Sequence, residues 1–214
     1  AEEHLSNSLA AREGMGDERG CAGLRLSLGR IQQLKGDWKA ASEYFQQASR
    51  EYEALGDLRG YSAAQSNLGN LYSDWGDCRA AIMCYKSSLD AARAEGDGHG
   101  TALASFNLAA ALFQDGEIDR ARELYEGCRE EFARMGDSRA EAQALLGLAA
   151  AVSACGDLSS ALQHYQDCLT MQMKVRDRLA MMAALDGLVG VSLHLGLAQE
   201  AEAAYCRVLE ALKS

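Results

Sequence analysis

The residues best equipped for chemistry in this chain are four histidines, seven cysteines and the adjacent Glu130-Glu131 pair. His4, His99, His164 and His194 lie far apart, and none stands in an H-E-x-x-H or other metal-ligand spacing. Cys21, Cys78, Cys84, Cys128, Cys155, Cys168 and Cys206 form no C-x-x-C pair, and their odd count does not suit a disulfide framework. They are expected to be small, buried, reduced thiols, which puts the chain in the cytoplasm or nucleus. Glu130 and Glu131 are neighbours on a helix, where successive side chains diverge, so they cannot share one site. Gly98-His99-Gly100 has no preceding strand and suits a helix start rather than a dinucleotide loop. Neither a Walker loop, a G-x-S-x-G elbow nor a D-x-D-x-D-G calcium run occurs. The expectation is a chain without catalysis, cofactor or metal.

Charge narrows the partner. The 214 residues carry a net charge of −10 with no run of Lys or Arg, so direct binding of nucleic acid is not expected. An acidic surface suits a basic peptide, or simply a solvated face. No apolar run is long enough to span a bilayer, and the first residues lack the basic and apolar regions of a signal peptide.

What positions these residues is a repeat. Gly16, Gly56, Gly96 and Gly136 are spaced by 40, with Arg176 in the next place, and Gly36, Gly76, Gly116, Gly156 and Gly196 form a second series. Most are followed by Asp. A glycine takes the left-handed conformation that closes a helix, and the Asp after it caps the next one, so Gly-Asp is a stop and a start in two residues. The spacing predicts first helices, called A, near 18–35, 58–75, 98–115, 138–155 and 178–195. Second helices, called B, follow near 38–55, 78–95, 118–135, 158–175 and 198–213, after a partial B helix over about 1–14. Aligned this way Ala1 matches Ala41 inside a helix, so the chain is expected to be one array over 1–214 within a longer protein, with repeats 16–55, 56–95, 96–135, 136–175 and 176–214. Glu117 and Leu197 replace the capping Asp, and Arg176 replaces a Gly. Those caps are expected to be weaker, with bending or loosening at 175–177. The absence of proline and the abundance of alanine suit uninterrupted, closely packed helices.

Apolar columns run down the array at helical spacing. They are Leu28, Leu68, Leu108, Leu148 and Leu188; Ala41, Ala81, Ala121, Ala161 and Ala201; and Phe45, Tyr85, Tyr125, Tyr165 and Tyr205. Gly29, Gly69, Ala109 and Ala149 follow the leucines where helices must approach closely, and Val189 breaks that column. On helix 198–213, Tyr205, Val208, Leu209 and Leu212 are expected to present an uncovered face, open to self-association.

The run Leu68, Gly69, Tyr72, Ala81 and Tyr85 resembles the tetratricopeptide repeat over the whole chain. Its 40-residue units, with phrases such as SNLGNLY and LGDLRG, resemble the long repeats of Pins/LGN adaptors. The resemblance implies an all-α fold, a right-handed superhelical solenoid of antiparallel helix pairs without enzymatic activity. A helices would line a concave groove that holds an extended or helical segment of a partner protein. Mapped onto inner positions of helix A, it implies a site from Arg30, Asn67, Asn70, Ser73, Asp74, Leu103, Phe106, Asn107, Phe113, Gln143, Leu146 and Asp186. Ser27, Asn67, Asn107, Gly147 and Gly187 form one of these inner columns. The asparagines offer amides to a partner backbone. Phe106 and Phe113 suit either apolar anchors for the partner or packing between helices. Arg30 is the one basic residue among the columns, which disfavours a clamp for an acidic chaperone tail. The function expected is a protein-interaction scaffold or adaptor. The alternative is a regulatory or sensor arm of a larger signalling enzyme or transcription regulator.

Overall fold

A computed structural model describes residues 2–213, with side chains through Glu210. Among them are eleven α-helices and no strand. They are α1 (Glu2–Met15), α2 (Glu18–Lys35), α3 (Trp38–Ala54), α4 (Leu58–Asp74), α5 (Cys78–Glu95) and α6 (Gly98–Gln114). α7 (Ile118–Met135), α8 (Ser138–Ala154), α9 (Leu158–Val175), α10 (Arg178–His194) and α11 (Ala198–Lys213) complete the order. Every boundary falls within a residue or so of the sequence expectation. Two compact units, residues 1–111 and 112–214, are each described by themselves.

The junctions work as the Gly-Asp pairs imply. Gly36, at φ 80°, lets the N–H of Asp37 reach the Gln32 carbonyl at 2.9 Å while its own N–H meets Gln33 at 3.0 Å. The Asp37 carboxylate then accepts from Ala40 N at 3.0 Å and opens α3. The same cap forms at Asp17, Asp57, Asp77, Asp97, Asp137 and Asp157. Two caps are also tied to the preceding A helix, by Arg19 to Asp57 at 2.7 Å and Arg139 to Asp177 at 2.9 Å.

The three irregular junctions differ in kind. Glu117 makes no side-chain cap to α7 and turns to Arg120 instead, because its longer side chain misses the cap geometry. Leu197 has no capping side chain at all, although its N–H still reaches Ser192 at 2.8 Å. Arg176 sits at φ 59°, where a side chain costs about 1–2 kcal/mol relative to glycine. The hydrogen bonds around it are long: 3.3 Å from Asp177 N to Gln172, and 3.2 Å from Ala180 N to the Asp177 cap. This is the loosened junction.

In the first unit α2 packs on α3 and α4, and α4 packs on α5. The Phe45 ring of α3 lies on Gly29 and the Tyr85 ring of α5 on Gly69, each within its own helix pair. A Cβ on Gly69 would stand 2.5 Å from Tyr85. In the second unit Tyr125 lies on Gly147 and Tyr165 on Gly187, each on the following A helix. Gly147 and Gly187 are therefore packing seats, which corrects their placement among open inner-face positions. Alanine stands at 149, in the place Gly69 fills, and glycine has moved to the other flank of the ring.

At the end of the second unit, Tyr205 and Leu209 are exposed on α11, while Tyr165 in the same column is buried. Val208 is 1% exposed, against the expectation that it joins the open face, because its column points at the partner A helix. Leu212 lies outside the described side chains. No helix among the described residues is long and apolar enough to cross a membrane.

Two substitutions test the ring seats. Gly69→Ala should cost about 1–3 kcal/mol by overpacking, whereas Gly127→Ala, with nothing near its Cβ, should gain up to about 1 kcal/mol in urea denaturation. Arg176→Gly should raise stability by about 1 kcal/mol in the same assay.

Candidate functional site

Helix A exposes, at the positions between its buried Leu and Ala columns, the residues singled out from the sequence. None of the twelve is buried. Arg30, Asn70, Asp74, Leu103, Gln143 and Asp186 are exposed, and Asn67, Ser73, Phe106, Asn107, Phe113 and Leu146 are half-buried.

Five of them meet in one cleft of about 620 Å³ on the first unit: Arg30 from α2, and Asn67, Asn70, Ser73 and Asp74 from α4. Four side chains not assigned to the site complete its walls, Gln33, Leu34, Trp38 and Tyr85. Asn67, Leu103 and Asn107 line a second cleft of about 360 Å³ with Arg59, Ser66 and His99. Asn67 belongs to both, so the two clefts adjoin across α4. Phe106 lines neither, although Leu103 and Asn107 beside it on α6 line the second. Phe113, Gln143, Leu146 and Asp186 lie in the second unit, where Phe113 and Leu146 keep part of their apolar surface exposed.

The polar groups of the first cleft are held in place. Gln33 Nε2 donates to the Asp74 carboxylate at 2.8 Å, linking α2 to α4. The Tyr85 hydroxyl donates to Asn70 Oδ1 at 2.7 Å. Burial and the nearby Asp74 charge raise the Tyr85 pKa, so the hydroxyl keeps its proton and its role as donor. Asn67 Nδ2 bonds back to the Ala63 carbonyl at 2.9 Å. These bonds fix the orientation of both amides. The cleft mixes one cation, one carboxylate and amides with an apolar ledge, since Leu34 is 88% exposed and Trp38 half-buried. Such a surface binds by hydrogen bonds and apolar contact, and carries no nucleophile–base pair.

Tyr85 was read from the sequence as scaffold alone, and its hydroxyl escaped notice because its column is filled by aromatics for packing. Leu34 gave a signal: a leucine six residues past Leu28 falls off the buried face. Trp38 gave one too, being the one Trp among residues that open a B helix.

Among the described residues no set of three His, Cys, Asp or Glu side chains comes together as a metal site. The thiols divide by environment. Cys128 and Cys168 are buried, and burial pushes both pKa values up to about 12. Cys155 and Cys206 are exposed and Cys78 and Cys84 half-buried, against the expectation that the thiols are buried, since Cys155 stands at the C-cap beyond α8 and Cys206 on an open face of α11.

A tetratricopeptide repeat model matches residues 20–94 and 100–174. Among solved structures the chain is similar to BtubC (BKLC) from P. vanneervenii, at 20% identity over 99% of this chain and 89% of that one, with a TM-score of 0.87. It is also similar to a Podosopora anserina putative kinesin light chain with nearly identical TPR-like repeats, at 21% identity, 88% and 93% coverage and a TM-score of 0.71. A Rap protein complexed with Competence and Sporulation Factor matches at 14% identity, 99% and 69% coverage and a TM-score of 0.71. At these identities the likeness is one of fold. No curated protein sequence matches the chain.

The thiol environments are directly testable. With an aromatic disulfide reagent near neutral pH, Cys155 and Cys206 should react at least about a hundredfold faster than Cys128 and Cys168. Peptide mapping of the labelled chain assigns each rate.

Proposed function

The chain belongs to the tetratricopeptide repeat family, and on that footing we propose that it is a protein-interaction scaffold that works by holding a partner segment, without catalysis. The observation carrying this reading is the meeting of Arg30, Asn67, Asn70, Ser73 and Asp74 in one open cleft that adjoins a second at Asn67. The partner is an extended or helical peptide. Its backbone meets the amides of Asn67, Asn70 and Asn107, and an apolar side chain rests on Leu34 and Trp38 or on Leu103. Phe106 on the first unit, and Phe113, Gln143, Leu146 and Asp186 on the second, are the further A-helix positions proposed to meet a partner, each within its own unit. The 40-residue repeats in the style of the Pins/LGN adaptors support an adaptor role. The exposed Tyr205 and Leu209 support a further contact at α11, with a second copy of the chain.

Peptides selected on the immobilised chain from a random displayed library provide the probe. Asn70→Ala, Phe106→Ala and Asn107→Ala should each weaken the selected peptides about tenfold, with the far-UV circular dichroism unchanged. Equal affinity for all three variants and the parent chain would sink the cleft assignment.

A further inference from the structure

The repeat supplies its own control for recognising a site. Side chains that hold helices together recur every 40 residues, so a combination that occurs once is not demanded by the fold. One cleft of about 410 Å³ in the first unit meets that criterion. It lies where the C-terminal halves of α3 and α5 flank the first turn of α4, and it shares no lining residue with the two clefts along the A helices. Tyr52, Tyr61 and Leu58 form apolar walls, Glu53, Asp57 and Asp90 supply carboxylates, and no lining residue is basic.

Neither half of this set recurs. Where this junction has Tyr52 and Tyr61, the others have Arg12 and Cys21, Ala92 and Thr101, Phe132 and Glu141, or Gln172 and Met181. Where it has Glu53 and Asp90, they have Glu13 and Arg50, Arg93 and Glu130, Ala133 and Thr170, or Met173 and Glu210. Two aromatics and two carboxylates meet at one junction of the five.

The geometry favours a cation. Asp57 is already engaged, capping α4 through Gly60 N at 3.0 Å and pairing with Arg19 at 2.7 Å. Glu53 and Asp90 are exposed, and no ion pair occupies them among the described residues. Glu53 lies in the last turn of α3 and Ala94 in the last turn of α5, so two negative helix ends add to the carboxylate field. The Tyr52 ring is only 7% exposed and lies on Gly60, where a Cβ would stand 2.2 Å from it, so it backs the cleft and leaves Tyr61 to offer a ring face. Tyr61 packs half-buried against the same cluster. A ring face beside carboxylates attracts a weakly hydrated cation more than either group does alone.

We propose that this cleft binds the basic side chain, arginine or lysine, of a partner peptide. It is a second contact point, separate from the proposed peptide clefts, and the chain's net charge of −10 steers basic segments toward it.

The test uses the full chain, labelled with nitrogen-15, and two capped tripeptides, Gly-Arg-Gly and its norleucine counterpart. The arginine peptide should shift the amides of Gly56, Leu58, Tyr61 and Ala91 saturably, and the norleucine peptide should not. Added salt should weaken the binding about threefold. Tyr61→Leu keeps the apolar volume but removes the ring face, and should weaken it about fivefold. The isosteric pair Glu53→Gln and Asp90→Asn should do the same. Asn70→Ala should leave the arginine response intact, which separates this site from the peptide clefts. The proposal is overturned if both peptides shift these amides equally, if the shifts fall on Asn67 and Leu103 instead, or if the variants bind like the parent chain.

Discussion

In four of the helix pairs the column aromatic of helix B lies on a stretch of neighbouring helix that has no side chain. Phe45 on Gly29 and Tyr85 on Gly69 are contacts in which a single methyl group would collide at 2.5 Å. A contact this close fixes both the separation and the rotation of two helices, because helix surfaces pack as ridges into grooves of set depth. The leucine and alanine columns then fill the space that the rings leave. In the second unit the seat moves to Gly147 and Gly187 on the following helix, yet the aromatic column keeps its place in the sequence. The ring lies between two A helices, and whichever flank lacks a Cβ receives it.

The caps do the complementary task along the chain. A left-handed residue followed by an acceptor reverses direction with almost every backbone group paired, and Arg19 and Arg139 tie two of those caps to the preceding helix. The carboxyls of Asp17, Asp157 and Asp177 are held below their usual range, chiefly by the groups they cap: Gly20 N for Asp17, Ser160 for Asp157 and Ala180 N for Asp177. Their contribution is present above the unfolded carboxylate pKa and is lost as the pH falls through the lowered folded value. Arg176 shows what happens when one element of the device is changed. The turn survives, with longer hydrogen bonds on both sides.

The proposed partner contacts use what the seats and caps leave over. Asn67, Asn70 and Arg30 occupy A-helix positions that packing does not claim, and Tyr85 serves both tasks, ring on Gly69 and hydroxyl on Asn70. The junction around Tyr52 and Tyr61 departs from its counterparts in the same way. In an array, departure from the period is the mark of a residue kept for something other than the array.

The period of 40, the caps, the helix limits and the three columns were all legible in the amino-acid sequence, because each rests on local rules of backbone conformation and side-chain periodicity. The list of inner A-helix positions came from the resemblance to the tetratricopeptide repeat, mapped onto these residues in register with the columns. The sequence could not say that Arg30 and Asp74 share a cleft while Phe106 lies outside it, nor that Tyr85 holds Asn70. Nor could it tell that Gly147 is a ring seat where Asn67 is open, or that Val208 is covered and Tyr205 is not. Those facts depend on which neighbouring helix meets each face, a contact between residues far apart in the chain. Only packing in three dimensions decides it.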